Sequence, residues 1–214
     1  MNELSILFDL DGTITDSGAG IIHGFRVVLD HYGLPMIPKE QERSVVGPPL
    51  RSSFIRFGIS AENTDEAVQI YRRFYLAEGQ YENFVYPGIA QMLQTLKEHG
   101  YRLYIATSKP EGMSIDILRR FGLAEYFDVI CGAAEDRSRD TKAKVIRHLL
   151  KRISTAERIV MVGDTVYDIE GAAELGIPAI GVAWGYGDTK QMLRSGAIKI
   201  AIDTTQLTRM LLDY

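Results

Sequence analysis

Apolar residues follow two alternating patterns from about residue 85 to the end of the chain. Short apolar runs typical of buried strands occur at 101–106, 127–131, 158–162 and 179–182, with a weaker one at 198–201. Between them, apolar residues recur every three or four positions, as on one face of a helix. Strands that alternate with helices predict an α/β fold with a doubly wound, Rossmann-like parallel sheet. The apolar run at 4–10 predicts a further strand, central in that sheet.

Residues 16–82 have a different pattern. Apolar positions recur with helical spacing around 21–29, 50–57 and 67–75, and no strong strand pattern separates them. Breaks rich in glycine and proline lie between these stretches. We therefore predict an all-helical cap domain at 16–82, inserted into an α/β core domain formed by 1–15 and 83–214. The two crossings between the domains are expected to be hinges.

Two carboxylates lie at the end of the first predicted strand. Asp9 and Asp11 lie two residues apart, directly before Gly12 and Thr13. Alternate strand residues point to one face, and parallel α/β sheets bind ligands at the carboxyl ends of their strands, so both acids should aim at one spot. Such a pair can hold a hard cation while one acid attacks a substrate and the other moves a proton. A solvated Asp-x-Asp loop is the alternative.

Candidate phosphate-binding residues lie farther along the chain. Thr107 and Ser108 end a predicted strand before a helix, where a hydroxyl and backbone N–H groups form a phosphate cradle, or where the hydroxyl simply caps the helix. Lys142 opens the helix predicted at 141–151 and could neutralise charge on a phosphate and on carboxylates. Lysines on helices are usually solvated, and Lys144 is the local rival for this role.

Two more acids follow the predicted strand at 159–162. Asp164 lies at the strand end, where it could complete a metal site with Asp9, and Asp168 lies near the start of the next helix, within reach of the same cation. A plain helix cap is the other interpretation of an acid after a strand. Together with Asp9 and Asp11, these acids favour a Mg²⁺-dependent phosphohydrolase.

These segments resemble the four signature motifs of the haloacid dehalogenase-like (HAD) hydrolase superfamily, over nearly the whole chain. The resemblance is carried, in motif order, by Asp9-Leu10-Asp11-Gly12-Thr13, Thr107, Lys142, and Gly163-Asp164 with Asp168. Three further segments resemble the phosphoglycolate phosphatase-like branch, and within it a bacterial subgroup described as nucleoside monophosphatases or 5′-nucleotidases. They are Gly47-Pro48-Pro49-Leu50, Thr107-Ser108-Lys109-Pro110 and Trp184-Gly185-Tyr186-Gly187.

The resemblance implies a catalytic role for three residues. Asp9 would be the nucleophile and would form an aspartyl-phosphate. Asp11 would protonate the leaving oxygen and then activate the water that cleaves the intermediate. Lys142 would bind the phosphate and steady Asp9.

The resemblance also implies the ligands of the metal and of the substrate. Mg²⁺ would be the cofactor, held by Asp9, the backbone carbonyl of Asp11 and Asp164, with Asp168 in support. The substrate would be a small phosphorylated metabolite. Its contacts are expected from Thr107, Ser108 and Lys109 in the core and from Arg51 in the cap, which should close over the site.

Composition limits the remaining possibilities. The net charge of −4 and the lack of a long basic stretch argue against a nucleic-acid partner. No apolar run approaches the roughly 20 residues that cross a bilayer, and no signal peptide is visible, so neither a membrane partner nor export is expected. Cys131 is the sole cysteine, which excludes an internal disulfide and fits the reducing cytoplasm. The pattern leaves a monomer and a homodimer both open.

Two other functions remain compatible with the core motifs. A mutase that moves phosphate within a sugar phosphate would need the same residues. A phospho-acceptor signalling protein also groups acids, a hydroxyl and a lysine around Mg²⁺, although it needs neither a cap nor a leaving-group acid. For a phosphatase, a nucleoside monophosphate is the first expected substrate and 2-phosphoglycolate the second.

Overall fold

A computed structural model of the chain describes residues 4–134, 136, 138–153 and 158–214. Residues 1–3, which bear on the expectation that no signal peptide is present, lie outside the described residues. The chain divides into two compact units, a core unit of Met1–Thr15 with Val85–Tyr214 and a helical unit of Asp16–Phe84. The second boundary therefore lies two residues beyond the position expected from the sequence.

The strands and helices alternate along most of the chain. The strands are β1 (Leu4–Phe8), β2 (Thr15–Asp16), β3 (Phe84–Val85), β4 (Arg102–Pro110), β5 (Val129–Ala133), β6 (Arg158–Gly163), β7 (Ala179–Val182) and β8 (Lys199–Ala201). The α-helices are α1 (Gly18–His31), α2 (Leu50–Arg56), α3 (Thr64–Ala77), α4 (Ile89–Glu98), α5 (Glu111–Arg120), α6 (Lys142–Leu150), α7 (Val166–Ala173), α8 (Thr189–Arg194) and α9 (Thr204–Leu212). No helix in the described ranges is long and apolar enough to span a membrane.

The core unit is built on a six-stranded parallel sheet. Its strand order is β5-β4-β1-β6-β7-β8, so the chain moves outward from β1 on one side and then on the other. The predicted doubly wound α/β fold with a central first strand is thus confirmed. Sheets of this kind bind ligands at the carboxyl ends of the strands where the direction of winding changes, which here is beside β1.

Alternation along β1 separates two hydrophobic layers. Leu4, Ile6 and Phe8 belong to a buried cluster with side chains of α4 and α9, whereas Leu7 belongs to a second cluster with side chains of α6, α7 and α8. Since successive strand residues point to opposite faces, a strand covered by helices on both faces must be apolar throughout. This explains why β1 is apolar at every position except the buried Ser5.

The helical unit has an aromatic core. Phe25 of α1 lies against Phe54 of α2 and Tyr71 of α3, with ring centroids 4.6 and 5.7 Å apart, and Tyr71 stacks on Tyr75 at 5.7 Å. The three α-helices lie where the apolar spacing predicts them. A 3-10 helix at Lys39–Val45, between α1 and α2, is an element that the spacing did not predict.

One strand boundary matters for the site. The apolar run predicts a strand end near residue 106, but β4 continues to Pro110, with irregular pairing to β5 between Ala106 and Pro110. The prediction was wrong here because residues 107–110 are polar or proline and carry no apolar signal. Thr107 and Lys109 therefore lie on a strand, not in a loop.

Candidate active site

The site begins where β1 ends. Asp9 follows Phe8 directly, and its backbone N–H donates to the Val162 carbonyl of β6 at 2.9 Å, which ties this residue to the sheet. Its side chain is buried, as expected for a residue at the carboxyl end of a central strand. The chain then turns at Gly12, whose φ of +86° is strained for any residue with a side chain.

Three buried acids converge, two from neighbouring strand ends and one from the helix that follows the second strand. Asp9, Asp164 and Asp168 each offer a carboxylate oxygen, and these oxygens lie within 4.8 Å of one another. Asp164 follows β6, and Asp168 is the third residue of α7. The helix-cap interpretation accounts for one oxygen of Asp168, because its Oδ2 accepts from the backbone N–H and hydroxyl of Thr165 at 3.0 and 2.9 Å.

Lys142 joins this cluster. Its Nζ lies 2.7 Å from Asp9 Oδ1 and 2.7 Å from Asp168 Oδ1, and it donates to the Ala106 carbonyl at 2.9 Å. The residue is the first of α6 and is buried, so its side chain runs into the site from the helix N-terminus. Lys144, the rival, is exposed and pairs with Asp140.

Burial and crowding of like charge set the electrostatics of the cluster. Burial raises the pKa of Asp9 to about 6, against the opposing attraction of Lys142. Burial and the neighbouring acids Asp168 and Asp9 raise the pKa of Asp164 well above its usual value. Burial alone would lower the pKa of Lys142, but Asp168 and Asp9 outweigh it, so that pKa is raised and the ammonium stays charged.

Asp164 is enclosed by backbone. Its Oδ2 accepts the N–H of Tyr186 at 2.8 Å, and its Oδ1 accepts the Thr13 hydroxyl at 3.4 Å. A Cβ on Gly12 would lie 2.1 Å from Asp164 Oδ2, and one on Gly185 would lie 2.3 Å from Asp164 Cβ, so neither position has room for a side chain. The loop after β7 thus holds this acid in one orientation.

The sequence reasoning missed this loop as part of the site. Trp184-Gly185-Tyr186-Gly187 entered only as a likeness to a subgroup, although two glycines directly after a strand of a parallel sheet are a usable signal of close backbone approach. The loop is also tied to the segment that follows Asp9, since Trp184 Nε1 donates to the Thr13 carbonyl at 3.1 Å.

The donor set fits a hard divalent cation. Asp9, Asp164 and Asp168 bring three buried carboxylates together against the ammonium of Lys142. Burial is the main cause of the raised pKa values of Asp9 and Asp164, so a cation beside them would favour their charged forms. Carboxylate oxygens are the ligands that Mg²⁺ and Ca²⁺ prefer.

The predicted phosphate-binding residues of β4 differ in their burial. Thr107 and Lys109 are buried, and the Thr107 hydroxyl accepts the backbone N–H of Lys109 at 3.2 Å. Ser108 lies between them on the strand and is exposed, because adjacent strand residues point in opposite directions. The Nζ of Lys109 contacts Asp11 at 2.9 and 3.2 Å.

Arg51 belongs to the helical unit and contacts other residues of that unit. The residue lies in the first turn of α2, which starts at Leu50 after the N-cap residue Pro49. Its guanidinium donates to the Thr64 hydroxyl at 3.0 Å and pairs with Asp65 at the start of α3. Its contact with substrate stays a prediction.

Sequence relatives have several named activities. A Pseudomonas aeruginosa protein named 5′-nucleotidase is 35% identical over 209 residues, which are 97% of this chain and 95% of that protein. The tyrosine-protein kinase PtkA of Mycobacterium tuberculosis is 43% identical over 183 residues, 85% of this chain. This chain spans only 62% of the length of PtkA.

Solved structures share the fold over nearly the whole chain. A predicted phosphatase from Clostridium acetobutylicum superposes with a TM-score of 0.92 at 37% identity, covering 98% of both chains. The structure of M. tuberculosis PtkA superposes with a TM-score of 0.87 at 39% identity, covering 98% of this chain and 97% of that one. Residues 6–182 match the sequence profile of one family. By that match the chain belongs to the haloacid dehalogenase-like hydrolases.

Proposed function

We propose that this protein is a Mg²⁺-dependent phosphatase that hydrolyses a small phosphomonoester through an aspartyl-phosphate on Asp9. The observation that carries the proposal is the buried cluster of Asp9, Asp164 and Asp168 with Lys142 in contact. A cluster of charges buried at a strand end is costly for folding and is typical of a catalytic site. The relatives named as phosphatases and as a 5′-nucleotidase support the same assignment.

In the first step, a carboxylate oxygen of Asp9 attacks the phosphorus of the substrate. The new bond joins Asp9 to phosphorus, and the bond from phosphorus to the leaving oxygen breaks. Asp11 donates a proton to that oxygen, so the product leaves as a neutral alcohol. Lys142 holds Asp9 in place through the 2.7 Å ion pair, and Thr107 offers its hydroxyl to the phosphoryl oxygens.

In the second step, water cleaves the intermediate. Asp11, now a carboxylate, takes a proton from the water, whose oxygen attacks phosphorus. The bond between Asp9 and phosphorus breaks, inorganic phosphate leaves, and Asp9 returns to its starting form. One acid thus serves as donor and then as acceptor, and the two steps together consume one water.

The metal ligands in this proposal are Asp9, Asp164 and the backbone carbonyl of Asp11, with Asp168 in support. Bound Mg²⁺ supplies positive charge that offsets the phosphoryl oxygens. Thr13 and the N–H of Tyr186 keep Asp164 oriented for this purpose. Three carboxylates whose oxygens lie within 4.8 Å of one another suit a hard cation.

The proposed substrate is a nucleoside monophosphate, with 2-phosphoglycolate second. The 5′-nucleotidase relative supports the first at 35% identity, and a phosphoglycolate phosphatase of Caulobacter vibrioides supports the second at 31% identity over 87% of this chain. In either case the core residues act on the phosphoryl group that both compounds share. The remaining substrate contacts are assigned to Ser108, Lys109 and Arg51.

A second candidate function is phosphoryl transfer to another molecule in place of water. The observation that favours it is the 43% identity to a protein named a tyrosine kinase, since a shared aspartyl-phosphate serves either acceptor. The sugar-phosphate mutase and the phospho-acceptor signalling protein are further alternatives. The mutase would return the phosphoryl group from Asp9 to a sugar phosphate, whereas the signalling protein would retain it on Asp9.

The test is phosphate release from a panel with and without Mg²⁺. Nucleoside monophosphates, phosphoglycolate, sugar phosphates and phosphotyrosine are compared by kcat/KM, and a parallel arm with labelled ATP measures transfer to tyrosine. Mg²⁺-dependent release supports the phosphatase, and the best substrate names the class. Transfer without release favours the kinase, dependence on a sugar bisphosphate favours the mutase, and a long-lived phosphoprotein favours signalling.

The proposed partners and location follow from composition. A small phosphorylated metabolite is the partner, with no nucleic acid and no membrane, and the location is the cytoplasm. Cys131 is buried, and burial raises the pKa of its thiol to about 11, which fits a core residue better than a nucleophile. Gel filtration decides between a monomer and a homodimer.

A further inference from the structure

Lys109 contacts an acid outside the metal cluster. Its Nζ lies 3.2 Å from Oδ1 and 2.9 Å from Oδ2 of Asp11, so a single ammonium engages both oxygens of this carboxylate. The side chains of Lys109 and Asp11 are only 6% and 16% exposed. Water therefore competes weakly for this pair, which makes it stronger than an ordinary surface ion pair.

The two site lysines are divided between the two acids of the first motif. Lys142 binds Asp9, and Lys109 binds Asp11. The sheet explains this division, because Asp11 lies three residues beyond the Phe8–Ile105 pairing of β1 and β4, and Lys109 lies four residues beyond it. The two side chains thus meet at the carboxyl end of adjacent strands.

The proposed proton transfers require the Asp11 carboxylate to be held in one orientation. It follows the end of β1 and precedes Gly12, whose positive φ turns the chain away from the sheet. A carboxylate that must face a leaving oxygen and later a water loses rate if it shifts by about 1 Å. Contact with both of its oxygens restricts rotation of the group.

We infer that Lys109 is a positioning residue that holds the Asp11 carboxylate in line for its proton transfers. The inference rests on the proposed phosphatase function and changes the assignment of Lys109, which the sequence placed among the substrate contacts. The Nζ contacts with both Asp11 oxygens favour this role over direct binding of the phosphate. The anchor is β4, where the backbone N–H of Lys109 donates to the Thr107 hydroxyl.

The first test uses leaving groups of different basicity. Lys109→Met removes the ammonium and keeps the length of the side chain. An alkyl phosphate, whose leaving oxygen needs a proton, should lose about 100-fold in kcat/KM, whereas 4-nitrophenyl phosphate, whose leaving group needs none, should lose less than about tenfold. We use kcat/KM because it excludes the later hydrolysis of the phosphoenzyme. Equal losses on both substrates would overturn the inference.

The second test is a double-mutant cycle with Asp11→Asn. If Lys109 acts through Asp11, Lys109→Met should lower kcat/KM for the alkyl phosphate less than about threefold in the Asp11→Asn background. A full, additive loss would assign Lys109 to the phosphate or to the fold instead. Lys109→Arg, which keeps a cation able to engage both oxygens, should recover much of the kcat/KM that Lys109→Met loses on the alkyl phosphate.

The controls separate the possible failures. Lys144→Met removes an exposed lysine that pairs with Asp140 and should leave both substrates unchanged. If Lys109→Met does not fold, Lys109→Gln carries the same comparison, with Lys109→Arg as its rescue. Equal losses of kcat/KM on the two substrates in Lys109→Gln would contradict the inference. If the unmodified protein releases no phosphate from any substrate, the proposed function has failed before any variant is compared.

Discussion

The two units of this chain differ in whether charged side chains lie in their interiors. Across the described ranges, every side chain that is both buried and charged lies in the core unit, and these are Asp9, Lys109, Lys142, Asp164 and Asp168. In the helical unit the interior is aromatic, and charged groups such as Arg51 and Asp65 pair where they remain partly exposed.

The difference indicates where the chemistry lies. Burying an ion costs several kcal/mol unless it is compensated, so a packed interior avoids it unless the charge has a use. The interior of the helical unit is formed by aromatic and aliphatic side chains, whereas the core unit keeps a charged cluster that stability alone would not favour. Mutations should therefore affect activity most in the core cluster and least in the ion pairs of the helical unit.

The largest effect is expected from Asp9→Asn. An amide oxygen is no nucleophile toward phosphorus, so turnover should fall by about 10⁴ or more while the fold persists. Phosphate release with Mg²⁺ measures the loss, and Asp140→Asn, at an exposed ion pair, is the matched control. Appreciable hydrolysis by Asp9→Asn with Mg²⁺ bound would refute the nucleophilic role of Asp9.

Lys142→Ala should follow, with loss of both activity and stability. The substitution leaves Asp9 and Asp168 buried beside each other without their cation, which should lower the free energy of unfolding by about 3 kcal/mol and kcat by about 10² to 10³. Lys144→Ala should change the free energy of unfolding by about 0.5 kcal/mol or less. Denaturant unfolding and kcat are measured for both variants. Larger losses in Lys144→Ala than in Lys142→Ala would assign phosphate binding to Lys144 instead.

Stability without metal should depend on pH through Asp9. Its pKa in the folded state, about 6, lies above the ordinary value of 3.8, so the folded protein binds the proton more tightly than the unfolded chain does. This contribution is present below about pH 4 and is lost as the pH rises through 6, by roughly 3 kcal/mol. The free energy of unfolding is measured against pH in the presence of a chelator, for the unmodified protein and for Asp9→Asn. It should fall with rising pH more in the unmodified protein than in Asp9→Asn, and parallel profiles of the two proteins would contradict the prediction.

Gly185→Ala should weaken metal binding although no acidic residue is substituted. The added Cβ would lie 2.3 Å from Asp164 Cβ, and displacing this carboxylate should lower Mg²⁺ affinity about 10- to 100-fold. Calorimetric titration measures the affinity, and the fluorescence of Trp184, the sole tryptophan and the preceding residue, gives a second readout. Gly112→Ala, where a Cβ meets open space, is the control, and equal affinities in the two variants would contradict the assignment of Asp164.

The smallest effect is expected in the helical unit. Arg51→Ala and Asp65→Ala both break the same partly exposed ion pair and should each change the free energy of unfolding by about 1 kcal/mol or less. If Arg51 binds a substrate anion, Arg51→Ala alone should raise KM by about tenfold. Equal KM values in the two variants would remove Arg51 from the substrate contacts.

Much of the core site could be predicted because its residues follow strand ends. Asp9 comes directly after an apolar run, and Asp164 comes after a second apolar run and one further residue. Parallel strands bring their carboxyl ends to one edge, so the proximity of the two acids follows from the fold class alone. Lys142 could be named as the first residue of a helix, although only the structure separates it from Lys144. These residues need little beyond the order of the elements.

The rest depended on packing that a linear pattern does not carry. The contact between Lys109 and Asp11 requires β4 to continue through polar residues, where no apolar signal marks a strand. The same extension turns Ser108 outward. The Tyr186 N–H on Asp164 is a backbone group, so no side-chain pattern could identify it.

Direct detection of the phosphoryl group on Asp9 tests the central claim. Unmodified protein is mixed with its best substrate and Mg²⁺, quenched within one turnover and treated with borohydride, which reduces an aspartyl-phosphate to homoserine. Mass spectrometry of the peptide that contains residue 9 should find the reduced residue there, and not when substrate is omitted. Hydrolysis with residue 9 unmodified, or with the modification on another acid, would contradict the account.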